Sequence, residues 1–441
     1  MKRTLASSLQ SLTIRNFRLF AAGQLVSVAG TWMMIVAQDW LVLSLTGDSG
    51  IALGVVTALQ FTPLLLLTLH AGSFADRYDK RHLLMAVNLA SALLALLLAL
   101  LVLTGRVELW HVYLFALGLG TVNAFEVPTR MAFVSELVGA ELLPNASALS
   151  AAYFNSARVV GPALAGLLIS WSGTAAVMLL NAASYLATVA GLRMMRPAEL
   201  HRSGPRPERA RVKDGIRHLT SRRDLVLPMV LVGVIGMLGF NFQLTLPLLA
   251  KTVFHADAAA FGLLTTALAA GSLLAAFATT LRRGRPPLGL VIGAALAFGI
   301  LQALAGLAPT YAAAAVLLFC TGCGSIYFAQ AANHSIQLGT APAYRGRIMA
   351  LYTLAFQGTT PLGALIVGVF SEKLGARSGL ILGGGASALT ALAVLALHLR
   401  TTTARPAPEP PPPHPPDHVD PNLRTPSPER VQGREGAPVD R

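Results

Sequence analysis

GSFADRYDKRHLL, residues Gly72 to Leu84, sets five charged side chains between two long apolar runs. Each charge placed centrally in hydrocarbon costs about 2.5 to 3.5 kcal/mol on insertion scales. The cluster is therefore expected as a short turn at the membrane surface, joining two spans. Around it, 54% of the residues are hydrophobic, only 12% are charged, and the mean hydropathy is +0.61. That is the composition of an integral membrane protein.

A span needs about 20 residues. Runs of that order fall at 17–45, 51–70, 83–103, 109–128, 147–171, 175–191, 225–250, 261–281, 288–308, 311–331, 349–370 and 380–398. The expected fold is all-α, with twelve transmembrane helices and both termini on one side. If the amino terminus is cytoplasmic, the outer loops hold only Arg106, Lys251, Lys373 and Arg377 of the 34 Lys and Arg. The positive-inside rule then places both termini in the cytoplasm of a plasma-membrane protein. The formal net charge of +14 is read as topology and contact with anionic lipid, not as nucleic-acid binding. The run from Phe17 to Leu45 is too long for a cleavable signal segment, so the first span is expected to stay.

The longest polar interruption, 194–224, is expected as a cytoplasmic linker between an amino-terminal six-helix lobe, 1–193, and a carboxy-terminal one, 225–399. Residues 400–441 carry Pro410 to Pro413 and almost no large apolar side chain, which predicts a disordered cytoplasmic tail. A shift of 199 positions superposes Ala151, Tyr153 and Pro162 on Ala350, Tyr352 and Pro361, and Arg77 and Lys80 find an echo in Arg282 and Arg285. Two parallel six-helix repeats, with a substrate site near mid-membrane between them, fit this layout.

The pattern G-x-x-x-D-R-x-x-K-R formed by Gly72, Asp76, Arg77, Lys80 and Arg81 resembles the loop between spans two and three of the major facilitator superfamily of transporters. PTRMAFVSELV (Pro128 to Val138), NASALSAAYFNSARVVGPALAGLL (Asn145 to Leu168) and YRGRIMALYTLAFQGTTPLGALIVG (Tyr344 to Gly368) are similar to the branch holding bacterial enterobactin exporters and macrolide efflux pumps. The resemblance implies that Asp76 faces the start of the eleventh span, where Arg345 and Arg347 stand beside a positive helix pole. The alternative is that Asp76 caps its own turn. Gly161, Pro162 and Gly166 resemble an element associated with exporters, although a plain kink accounts for them too. The superfamily's frequent fourth-span arginine is replaced by Leu114 ahead of Gly118 and Gly120, so its proton relay does not carry over.

Ionisable residues inside spans are functional hypotheses by default. Arg158 lies about 11 residues, or roughly 16 Å, into the fifth span; Asp39 and Glu126 are its candidate partners, or the three form a fixed structural bridge. Gln357 occupies the position equivalent to Arg158 in the second half. Cys320 and Cys323 are the only cysteines, too few for a metal or redox reading. No phosphate loop, dinucleotide loop or nucleophile triad occurs, so an enzyme and a bound cofactor are not expected. The expected function is secondary active export of an amphipathic drug or siderophore by alternating access, exchanged against protons by a monomer. Nutrient uptake on the same fold and a non-transporting membrane sensor or scaffold remain the alternatives.

Overall fold

The computed structural model describes residues 9–201, 212–282 and 284–403. Side chains at 68–70, 72–73, 75–76, 212–215, 343 and 401–403 lie outside that description. The described residues up to Leu397 form one compact unit. The expected disordered tail falls in the remainder and, past Thr403, lies outside the described residues.

Among the described residues every regular element is helical. Helices α1 (Arg15–Thr46), α2 (Gly50–Arg77) and α3 (Lys80–Leu103) open the chain. The next run, Leu109–Arg193, is 85 residues long, about 127 Å if it were straight. It is not straight, because Gly139 (φ 71°) and Gly173 (φ 75°) take left-handed backbone values that a side chain would resist. These turns divide it into α4 (109–138), α5 (140–172) and α6 (174–193). A short linker helix, α7 (Val212–Thr220), precedes α8 (Arg223–Val253), α9 (Ala258–Thr280), α10 (Leu288–Leu307), α11 (Tyr311–Gly339), α12 (Arg345–Gln357), α13 (Thr360–Leu374) and α14 (Arg377–Thr403). Among the described residues ten runs are long and apolar enough to cross a membrane, α12 and α13 forming one of them. With the 85-residue run counted at its two glycine turns, they become the twelve expected.

Several boundaries differ from the sequence expectation. The helix through Gly72 continues to Arg77, so Gly72 does not end it, and α3 starts at Lys80 with the Asp79 side chain accepting from the His82 amide. The fourth span does not stop at Pro128 but runs ten residues further. A proline one turn inside a packed helix removes a single hydrogen bond and bends the helix without ending it.

Two spans are broken. In α8 a π-helical turn at Ile235–Gly239 leads into the non-helical Phe240 and Asn241, and a second π-helical turn, Leu249–Val253, follows the α-helical Phe242–Leu248. Side-chain amides occupy the carbonyls so released: Asn241 Nδ2 donates to Met237 O at 2.7 Å and Gln302 Nε2 to Gly239 O at 2.8 Å. Between α12 and α13 the break at Gly358 and Thr359 precedes Pro361, which has no amide to continue the ladder.

The first six spans meet the last six along two glycine seams. A Cβ on Gly54 would stand 2.7 Å from Ala364 O, and one on Gly262 would strike the Pro162 carbonyl, so α2 closes on α13 and α5 on α9 with backbones nearly touching. Thr266 Oγ1 adds a hydrogen bond to Val159 O at 3.0 Å along the second seam.

Candidate functional site

Asp39 sits about three-quarters of the way along α1 and is 4% exposed. One of its carboxylate oxygens, Oδ2, has no hydrogen-bond partner. It lines a chamber of about 30 Å³ whose walls come from α1 (Trp32, Val36), the α5 proline Pro162, and Phe242, Gln243 and Thr265 of α8 and α9. That volume holds about one or two water molecules. The chamber lies where the first six spans meet the last six, so opening the seam between them changes what surrounds the carboxylate.

Arg158 does not pair with either expected carboxylate. Its guanidinium lies 5.6 Å from the centroid of the Trp32 ring, with Phe154 packed edge-on against that ring at 6.1 Å. The aromatic face takes the charge in place of an anion. Glu126 instead binds Arg130 one turn along α4, Oε1 to Nε at 2.9 Å, with side chains 19% and 20% exposed. Tyr153 stands beside this pair, its hydroxyl buried. The trio expected from the sequence is thus two separate centres, Asp39 in its chamber and Glu126 with Arg130. Gln357 is exposed at the end of α12, next to an aromatic cluster in which Phe356 meets Phe240 at 4.8 Å and Tyr352 at 5.9 Å.

The charged turn is held more firmly than a surface anchor. Lys80 Nζ contacts Glu136 Oε1 at 2.7 Å, the side chains only 13% and 9% exposed. Arg81 donates to the carbonyls of Leu192 at 2.7 Å and Arg193 at 3.2 Å, capping the negative end of α6. Of the turn's three cations, Arg77 alone is exposed. Asp79 is partly buried, which raises its pKa, but hydrogen bonds from the His82 and Arg81 amides and the His82 imidazole outweigh this and pull it below the usual carboxylate range. The second half repeats the layout: Arg285 donates to Ser335 O at 3.0 Å and to Asp224 at 2.9 Å. The Asp76 side chain lies outside the described residues. Opposite it in the expectation, Arg345 keeps a buried Nε without a partner, and Arg347 lies 5.4 Å from the Tyr344 ring.

At the other end of the bundle the halves are tied directly. Glu372 Oε2 of α13 accepts from Ser49 Oγ at 2.9 Å and the Ile51 amide at 3.2 Å, at the positive start of α2. Lys251 pairs with Asp48 at 2.7 Å and lies 5.4 Å from the Trp40 ring. Gly161 packs against Trp32 of α1, while Pro162 and Gly166 meet Gly262 and Ala258 of α9, so Pro162 and Gly166 form the smooth face of the α5 seam and Gly161 seats α5 on α1. Cys320 and Cys323 are free thiols.

Sequence reasoning missed Arg130, Glu136, Asp48, Lys251 and Glu372. Arg130 had a signal, since it follows Glu126 by four residues and such pairs share a helix face. Ending the span at Pro128 hid it.

A family model described as transmembrane secretion effector matches residues 6–427. The staphyloferrin A transporter of Staphylococcus aureus is 23% identical over 366 residues, covering 81% of this chain and 90% of its own. Macrolide efflux protein A of Streptococcus pyogenes is 24% identical over 378 residues, covering 84% and 92%. Among solved structures, the nucleoside transporter NupG superposes with a TM-score of 0.71 at 11% identity, over 87% of this chain and 99% of that one.

Proposed function

Because the chain belongs to the transmembrane secretion effector family, within the major facilitator superfamily of membrane transporters, we propose that it exports amphipathic small molecules by alternating access, in exchange for protons. The basic turns at Lys80 and Arg285 then face the cytoplasm, with both termini, and the Glu372 end faces outward. A drug-like or siderophore-like cargo agrees with the efflux and staphyloferrin A relatives and with the two aromatic clusters, Trp32 with Phe154 and Phe240 with Phe356.

The observation carrying this reading is the unpartnered Asp39 oxygen in a chamber walled by both halves. An ionised carboxylate sealed there without donors costs several kcal/mol. A proton on Asp39 removes that charge before the seam closes. When the seam opens outward, water reaches the chamber and Asp39 exchanges its proton with the exterior. Glu126 and Arg130 form a second centre: protonating Glu126 releases the Arg130 guanidinium to a polar group of the cargo, so proton and cargo oppose each other's binding.

Proton release on cargo binding tests the coupling. In weakly buffered detergent solution a tightly bound efflux substrate is expected to release protons from the parent protein, and fewer from Asp39→Asn or Glu126→Gln. Equal release from the parent and both variants contradicts the assignment.

A further inference from the structure

We propose that the outer face of α1 and α6 binds one anionic phospholipid, with an acyl chain in an apolar groove and the headgroup against Arg15 and Arg18. The groove has a volume of about 490 Å³ and is lined by α1, α5 and α6, with Leu25, Val26, Ala29, Val160, Ala183 and Ala187 among its walls. Leu25, Val26 and Val160 are 45%, 51% and 50% exposed within membrane-spanning lengths. The medium filling such a trench is hydrocarbon. The small side chains at 29, 183 and 187 form the trench, and the larger ones form its rim.

Charge settles which amphiphile occupies it. Positions 15, 18, 22, 25, 26, 29 and 33 recur at intervals of three and four and share one face of α1. The groove face therefore runs directly to Arg15 and Arg18, the latter about seven residues, or roughly 10 Å, from Leu25. Arg18 is exposed, and Arg15 holds a buried Nη1 without a hydrogen-bond partner. An alkyl trench ending at two guanidinium groups matches a chain ending in a phosphodiester. A zwitterionic lipid fills the trench equally well but carries a cation of its own toward the arginines. This site faces lipid and stands apart from the Asp39 and Glu126 centres, so it does not depend on the direction or coupling of transport.

The test uses native mass spectrometry of the purified full-length chain, exchanged into micelles containing equal amounts of dioleoyl phosphatidylglycerol and dioleoyl phosphatidylcholine. The parent is expected to retain one tightly held phosphatidylglycerol, preferred by about 5-fold to 30-fold, as one or two arginine contacts supply. Arg15→Gln with Arg18→Gln should bring the preference close to parity. Ala183→Phe with Ala187→Phe, both on exposed positions, should eject the retained lipid. Equal retention of phosphatidylcholine, occupancy by detergent alone, or unchanged phosphatidylglycerol retention in the filled-groove variant overturns the proposal. Because the arginine variant gives up the exposed hydrogen bond from Arg18 Nη1 to Leu12 O at 3.3 Å but no groove-lining side chain, its result stands even if the phenylalanine variant fails to fold.

Discussion

Glu372→Gln combined with Asp48→Asn removes the two charged ties that close the end opposite the basic turns. Glu372 lies at the start of α2, where a negative charge is worth about 0.3 to 1 kcal/mol. The Asp48–Lys251 pair, with side chains 34% and 25% exposed, adds about 0 to 1 kcal/mol after solvent screening. Both replacements keep an amide able to hydrogen-bond, so the double variant isolates charge. The closed state should lose roughly 0.3 to 2 kcal/mol, a shift of about 2-fold to 30-fold toward the state open at that end. The assay places a single cysteine at Gln243 in the wall of the Asp39 chamber, with Cys320 and Cys323 replaced by serine, and follows labelling of intact cells by an impermeant maleimide. Labelling should accelerate by that factor. An unchanged or slower rate, with equal insertion of the protein, would refute the view that these ties hold the outward end shut.

Further expectations follow from the same contacts. Lys80→Met leaves Glu136 buried without its cation and should lower stability by about 3 to 5 kcal/mol, seen as a lower melting temperature in detergent, while adding Glu136→Gln should recover most of the loss. Gly262→Leu drives a side chain into the Pro162 carbonyl, so the α5–α9 seam cannot close; transport should fall more than about 10-fold with normal expression, and full activity would show the seam to be incidental. Asp79→Ala removes an N-cap worth about 0.5 to 2 kcal/mol. Because folding lowers the Asp79 pKa, that contribution is whole above pH about 4, the unfolded value, and fades as pH falls through the lower folded value, which acid unfolding of parent and variant measures by convergence at low pH.

The helical membrane fold was legible because hydrocarbon penalises charge so heavily that one cluster, Gly72 to Leu84, separates two spans unaided. Where the spans end was less legible. Pro128, Gly72 and the run near Ala331 all mark breaks in a water-soluble helix, yet here the helices continue to 138, Arg77 and Gly339, since a backbone packed among other helices keeps its remaining hydrogen bonds. The site was legible residue by residue but not in its pairings. Asp39, Glu126 and Arg158 stood out as charges at depth, while their partners depend on rotation about each helix axis, which spacing alone does not give between helices. Arg158 rests on an aromatic ring, an interaction that leaves no charge pattern to read. The ties of Glu372 and Lys251 join residues more than 200 positions apart, and only packing brings them together.

Transport in inside-out vesicles measures the central claim directly. With the lumen made acid, labelled substrates from a panel of amphipathic cations, macrolides and hydroxycarboxylate siderophores are offered outside the vesicles. At least one is expected to accumulate in the lumen, to leak out when a protonophore collapses the gradient, and to accumulate no longer in Asp39→Asn or Glu126→Gln although it still binds. Accumulation that survives the protonophore, or that both variants retain in full, would contradict proton-coupled export.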